Sequence, residues 1–423
     1  MAVIGDRAAA RRLFERFGFG PRPGELDSGR TVDAFLSAAD DPGAPPPPTL
    51  GPEPKPGKDK AAKQQEAQQV RTDQQAITLW WLDRMVATNS PLVERMTWFW
   101  HGHFATSAQK VKSARMMLAQ NQTQRQHALG DFGVLANAMV VDPAMLVWLD
   151  GQKNTAKAAN ENLGRELMEL FTLGVGNYTE DDVRAAARAL TGWKIDRDTL
   201  AVTLVPKQHD NKDKTVIGHT GPLDAHSLVD VLVTSPASPK FVARRLWQRL
   251  VSGTPPADDV LARLTGAYGP NRDIRALLRA LAAEPAFRDD GSTIVKQPVE
   301  WAVGVMRAFK IRPATLPADE QTKLLAGLRG MGQVPFLPPS VGGWPAGGAW
   351  LTTAAGLARL QLARLLTPHA DLAALSGDPV TAIGTLLGVG AWSDRTRAAL
   401  TPLAHQPAQL ASVAVCAPEY VIS

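Results

Sequence analysis

Apolar residues recur along most of this chain at the three- and four-residue spacing of a single helical face, and strand-like alternation is confined to one short stretch. The first such face, Leu13, Phe14 and Phe17 in a helix over 6–17, stops at Gly18. Gly20, Pro21, Pro23 and Gly24 then predict a rigid turn, and Thr31 is placed to cap a short helix reaching Ala38. Residues 40–57 are proline-rich without periodic apolar positions, which predicts an extended loop or linker. A long helix follows, solvated in its Gln- and Lys-rich first half, amphipathic at Ile77, Leu79, Trp80 and Leu82, and ending near Asn89. Ser90-Pro91 reads as cap and first helical residue of the next helix, which runs to His101-Gly102-His103.

Further helices are predicted at 113–129, 132–140, 161–173 and 180–191, with Thr179 and Asp182 spaced as a capping box. The strand signal is Ala201 to Val205 with Thr215 to Ile217, joined through Pro206 to Lys214. Beyond it, Ser238-Pro239 opens a helix with the stripe Phe241, Val242, Leu246, Trp247, Leu250, and Asn271, Gln297-Pro298 and Leu316-Pro317 open three more. Residues 331–350 alternate glycine, proline and aromatics, a composition that predicts a loop lining a pocket. The expected fold is mainly α, a multi-helix globular assembly forming a single domain over 1–423, with one small β-hairpin near 200–217.

Composition narrows the classes. The chain has 423 residues, 44% of them hydrophobic, enough for a large core. It contains no apolar run approaching the ~20 residues of a membrane span, so no transmembrane segment is expected. The N-terminal stretch reads as an amphipathic helix and not as a signal peptide, which makes cytoplasm the default compartment. A single cysteine, Cys416, excludes an internal disulfide and a multi-thiolate zinc site. The net charge of +5 is spread thinly. Its densest patch, Lys55 to Lys63, is not interleaved with aromatics, so no nucleic-acid partner is expected.

Candidate chemistry falls into three places. In Trp98-Phe-Trp-His-Gly-His-Phe104, a helix ending at Gly102 would let His101 and His103 turn to one side as ligands of a divalent metal, with Glu166 as third donor. The bland alternative is a pair of histidines closing a helix C-terminus. In Asn160 to Phe171, the residues Asn162, Glu166 and Glu169 form a polar stripe beside the apolar face of Leu163, Leu167, Leu170 and Phe171. Two carboxylates at i, i+3 can share a cation or divide acid and base roles, and a solvated stripe paired with Arg165 would look the same. His209-Asp210 in the hairpin connection could shuttle a proton or simply decorate an exposed loop. The candidate catalytic set is therefore Glu166, Glu169, His209 and Asp210; Trp98, Asn121, Arg125, Asn162 and Trp344 are candidates for substrate contact. No phosphate-binding glycine loop, dinucleotide fingerprint or Gly-x-Ser-x-Gly elbow occurs.

Taken together, FWHGHF at 99–104, the block ENLGRELMELFTLGVGNYTE with RALTGW, Asp142-Pro-Ala-Met-Leu-Val-Trp-Leu-Asp150, His209-Asp210 and the 332–344 loop resemble a bacterial family known as domain of unknown function 1800. The likeness extends over nearly the whole chain after Arg11. It departs at Leu163-Gly164, where relatives more often carry an aromatic and Ala. The resemblance implies no activity. It does imply a genomic neighbour from an exported, sulfatase- or phosphatase-like family, and with it an envelope-associated partnership. Three readings stay open: a metal-assisted hydrolase acting on a polar polymer such as carbohydrate; a non-catalytic companion that binds that neighbour through the Pro-rich segment and the Trp-rich loop; and an oxidoreductase with His101 or His103 as axial ligand to haem.

Overall fold

The computed structural model describes residues 7–53, 57, 59–289 and 291–423. Among these, 22 α-helices account for most of the ordered backbone, joined by seven short 3-10 turns, one π-helical segment and four three-residue strands. The mainly α expectation holds. The strand pairing does not: β1 (Trp193–Ile195) pairs antiparallel with β2 (Val202–Leu204), and β3 (Lys214–Val216) with β4 (His219–Gly221). The two predicted strand segments thus exist but belong to two separate hairpins. The reason is local. Ile217 and Gly218 both take positive φ, 42° and 84°, and so close a two-residue turn from Val216 back to His219.

Caps account for several helix starts. Asp59 accepts from the Ala62 amide, Ser113 from Met116, and Thr179 and Asp182 complete the predicted capping box. Ser90 makes no side-chain cap; Pro91 occupies the first helical position and starts the helix there. The proline-rich stretch is strapped at Pro45 to the long Lys60–Ala87 helix, because the Pro45 carbonyl accepts from both Trp80 Nε1 and Arg84 Nη1. Part of the basic 55–63 patch lies outside the described residues. No described helix is long and apolar enough to cross a membrane.

Two apolar cores meet at the Pro91–His103 helix, called the central helix below. Leu92, Met96, Phe99, Trp100 and, just beyond the helix, Phe104 enter one core, while Trp98 enters the other with Trp81, Phe336 and Trp344. A helix buried on nearly every side needs its polar groups satisfied inside, and Glu94 meets that need. Its carboxylate accepts from Trp81 Nε1 at 2.9 Å, Arg84 Nε at 2.7 Å and Arg125 Nε at 2.6 Å. Burial opposes the Glu94 charge, but Arg125 and Arg84 outweigh it and hold the carboxyl below its ordinary value.

Candidate functional site

The central helix remains helical through Gly102, so His101 and His103 diverge by the ~200° that two residues of helix impose. His101 packs against Trp81, Trp98, Phe336 and Trp344, and its Nε2 accepts the Phe336 amide at 3.0 Å. Burial lowers its pKa to about 3, which keeps the ring neutral. His103 points into the opposite core among Phe99, Trp100, Phe104 and Phe171, with Nε2 2.8 Å from the Phe171 carbonyl. Its pKa falls well below the ordinary value through burial, then through the nearby Arg245. The predicted trio His101, His103 and Glu166 is therefore not assembled: the imidazoles face opposite cores and each has Nε2 engaged by backbone. These residues do not fit a shared metal, and two rings enclosed by aromatic side chains do not fit an axial haem ligand.

Gly102 does not end the helix; its carbonyl meets the 331–350 loop. A Cβ on Gly343, which has φ +78°, would sit 2.2 Å from the Gly102 carbonyl oxygen. Gly343 thus allows the 331–350 loop to lie directly on the Gly102 carbonyl of the central helix.

His103 does connect to the acidic segment, through backbone. After the short Asn162–Glu166 helix the chain widens into a π-helical turn over Leu167–Thr172, where the Leu173 amide reaches the Met168 carbonyl five residues back at 2.9 Å. Since Phe171 O accepts a ring N–H, His103 donates from Nε2 and braces this turn from the central helix. Single π turns inside helices concentrate at functional sites. Glu166 and Glu169 lie at and within this turn, both half-buried. Burial, followed by the charge of Glu169, raises the Glu166 pKa against the opposing pull of Arg165. Glu169 accepts from the Tyr178 hydroxyl at 2.6 Å, and the Tyr178 pKa is pushed up to about 12 by burial and by that bond. Arg165 is held by Glu180 at 2.7 Å and Glu161 at 3.1 Å, which keeps it from neutralising the pair outright. Asn162 is exposed at the start of the helix, its amide taken by Asn160 Oδ1.

The remaining candidates lie elsewhere. Asp210 is ion-paired with Arg188 at 2.7 Å, and that bond with its charge lowers the carboxyl to about 2. His209 Nδ1 lies 3.0 Å from the Thr191 carbonyl. Neither residue makes a hydrogen bond to Glu166 or Glu169 among the described residues, so the structure does not join these two predicted sites. Arg125 belongs to the Glu94 network and, with Trp80, Gln122 and Gln126, lines a cavity of about 510 Å³. Asn121 is sealed inside with both amide atoms unpartnered. Asp150 is occupied by Lys110 and Lys153, and Asn154 bridges the Ala187 carbonyl and the Asn160 amide, so both are used structurally.

Trp98 and Trp344 do come together, stacked with ring centroids 5.1 Å apart. With Phe99 and Gly102 they wall a narrow cleft to which the 331–350 loop contributes Trp344, and three arginines that sequence reading passed over line it too: Arg95, Arg245 and Arg249. Their signal was present as helical stripes, 95/98/99/102 and 241/245/249, but an arginine on an otherwise apolar helix reads as a solvated edge. The loop tryptophans 344 and 350 are both buried and build the interior. Tyr178 was missed because its bond to Glu169 depends on the loop after the π turn.

A family model described as "Protein of unknown function (DUF1800)" matches residues 12–422. No curated protein and no solved structure matches the chain.

Proposed function

The chain belongs to the DUF1800 family, and from the geometry it presents we propose a hydrolase-type enzyme that works by general acid–base catalysis at Glu166 and Glu169 on a polar polymer such as a carbohydrate. The observation that carries this reading is the carboxylate pair on a π turn, one member raised by burial and by its neighbour's charge, the other bonded to a tyrosine. Two carboxyl groups whose environments differ in this way divide the labour of proton transfer. Glu166 retains its proton to higher pH and serves as the acid. Glu169, oriented by Tyr178, serves as the base that activates water. His103 is a positioning residue, fixing the turn through Phe171. Both carboxylates are reachable from solvent, an arrangement suited to a chain-like substrate that cannot enter a closed cavity. No metal takes part in this scheme.

The test is a screen of polysaccharides and other polar polymers for released reducing ends or new termini. On the substrate found, Glu166→Gln and Glu169→Gln each lower kcat by about 100-fold or more, within the range of general acid–base contributions. Asp210→Asn, away from the pair, leaves turnover near that of the parent. Full activity in both glutamine variants overturns the proposal.

A further inference from the structure

The cleft beneath Trp344 has an imbalance that the acid–base scheme does not use. Its lining carries three guanidinium groups, Arg95, Arg245 and Arg249, against one carboxylate, Glu300. Arg249 spends its Nη groups on the Trp344 and Pro345 carbonyls, at 2.9 and 3.3 Å, which ties the loop down without giving its charge an ion-pair partner among the described residues. Arg95 Nη1 lies 2.6 Å from Glu300 Oε1, off the hydrogen-bonding direction, and so is an ion pair with a donor to spare. Arg245 has no hydrogen bond and no ion pair among the described residues; its guanidinium lies 5.8 Å from the centre of the Phe241 ring. The indole N–H of Trp344, in a side chain more than nine-tenths buried, also lacks an acceptor.

Donors and positive charge thus converge here without the acceptors that would satisfy them. Two of these donors, Arg95 Nη1 and Trp344 Nε1, are buried without an acceptor, a costly arrangement that points to an absent one, and the partly exposed Arg245 guanidinium lines the same cleft. We propose that this cleft binds a small oxyanion, the carboxylate, sulfate or phosphate group of a ligand, with Arg245 as its principal contact and Arg95 and the Trp344 N–H completing the cradle. Planar guanidinium forks match such groups in geometry as well as charge. The walls of Trp98, Phe99 and Trp344 exclude water and strengthen the attraction. The enclosed room is about 20 Å³, so the charged group enters and the rest of the ligand stays outside. Arg245 itself is pulled down to about 10 by burial and by Arg249, the behaviour of a cation short of a counter-charge.

The experiment follows thermal unfolding and tryptophan fluorescence of the full chain during titration with sodium acetate, sulfate and inorganic phosphate, with sodium chloride matched in ionic strength. At least one oxyanion is expected to raise Tm and change the fluorescence saturably, while chloride does not. Acetate separates the planar from the two tetrahedral anions. Arg245→Met is expected to weaken that binding at least tenfold and, without anion, to match or exceed the parent's Tm, because it removes a charge the protein leaves unpaired. Arg245→Lys, which keeps the charge without the fork, binds between the two. No response beyond chloride, an undiminished response in Arg245→Met, or a lower Tm for anion-free Arg245→Met would each overturn the proposal; the last would mean that the fold itself engages the guanidinium.

Discussion

Asp142 is the buried carboxylate whose charge the fold tolerates least. Glu15 and Glu94 are paired with cations, whereas Asp142 has only neutral donors, the Met145 and Ala144 amides and the Gln120 side-chain amide, and burial wins, raising it to about 7. An unfolded Asp releases its proton near pH ~4. Between that pH and about 7 the folded state binds more protons, so stability falls as pH rises, by at most ~1.4 kcal/mol per unit. Denaturant titrations from pH 4 to 8 are expected to show this slope in the parent and to lose it in Asp142→Asn. His101 acts on the acid side. Its folded pKa, about 3, lies below the unfolded value of ~6.5, so its contribution is complete above pH ~6.5 and is lost as pH falls towards 3. Nitrogen-15 spectra at pH 5 should show a neutral His101 ring protonated on Nδ1; a charged ring there contradicts the packing described.

At the scale of elements, the contact between the 331–350 loop and the central helix makes opposite predictions for its two glycines. Gly343→Ala forces a side chain into a positive-φ position and against the Gly102 carbonyl, and should destabilise by ~2–3 kcal/mol. In Gly102→Ala the new methyl meets Trp344 at an ordinary 3.9 Å inside a helix, and should be neutral or stabilising by up to ~1 kcal/mol. Paired thermal melts decide this; equal losses would show that the loop does not rest on Gly102 through Gly343. This contact also marks where sequence reading stops. The periodicity that placed the 91–103 helix was sound; around Asn162, Glu166 and Glu169 the regular helical spacing gives way to the π turn after Glu166. The histidine geometry was misjudged because Gly102 was taken as a helix stop, whereas the helix runs on through it and its carbonyl meets Gly343, 241 residues away, a relation no local pattern contains. The π turn was invisible for a similar reason: it is held by His103 from another helix. The hairpin error was more avoidable, since Ile217-Gly218 carried a turn signal.

The whole molecule depends on a helix shared by two cores, and Glu94 is the ion that makes its burial tolerable. Glu94→Gln leaves Arg84 and Arg125 without their counter-charge and should cost ~3–5 kcal/mol. Because both cores use the central helix, the loss should appear as one cooperative unfolding transition moved to lower denaturant; two separated transitions would show that the cores stand apart. The same helix, through His103 and Phe171, holds the turn that presents the acidic pair, so fold and proposed chemistry meet at Glu166 and Glu169. The most direct test of that meeting is a carboxyl-carbon NMR titration of Glu166 in the parent and in Glu169→Gln. The parent should titrate above the ordinary glutamate value, and removing the neighbouring charge should lower it. An ordinary, unchanged titration of Glu166 in both proteins would contradict the coupled pair on which the functional proposal rests.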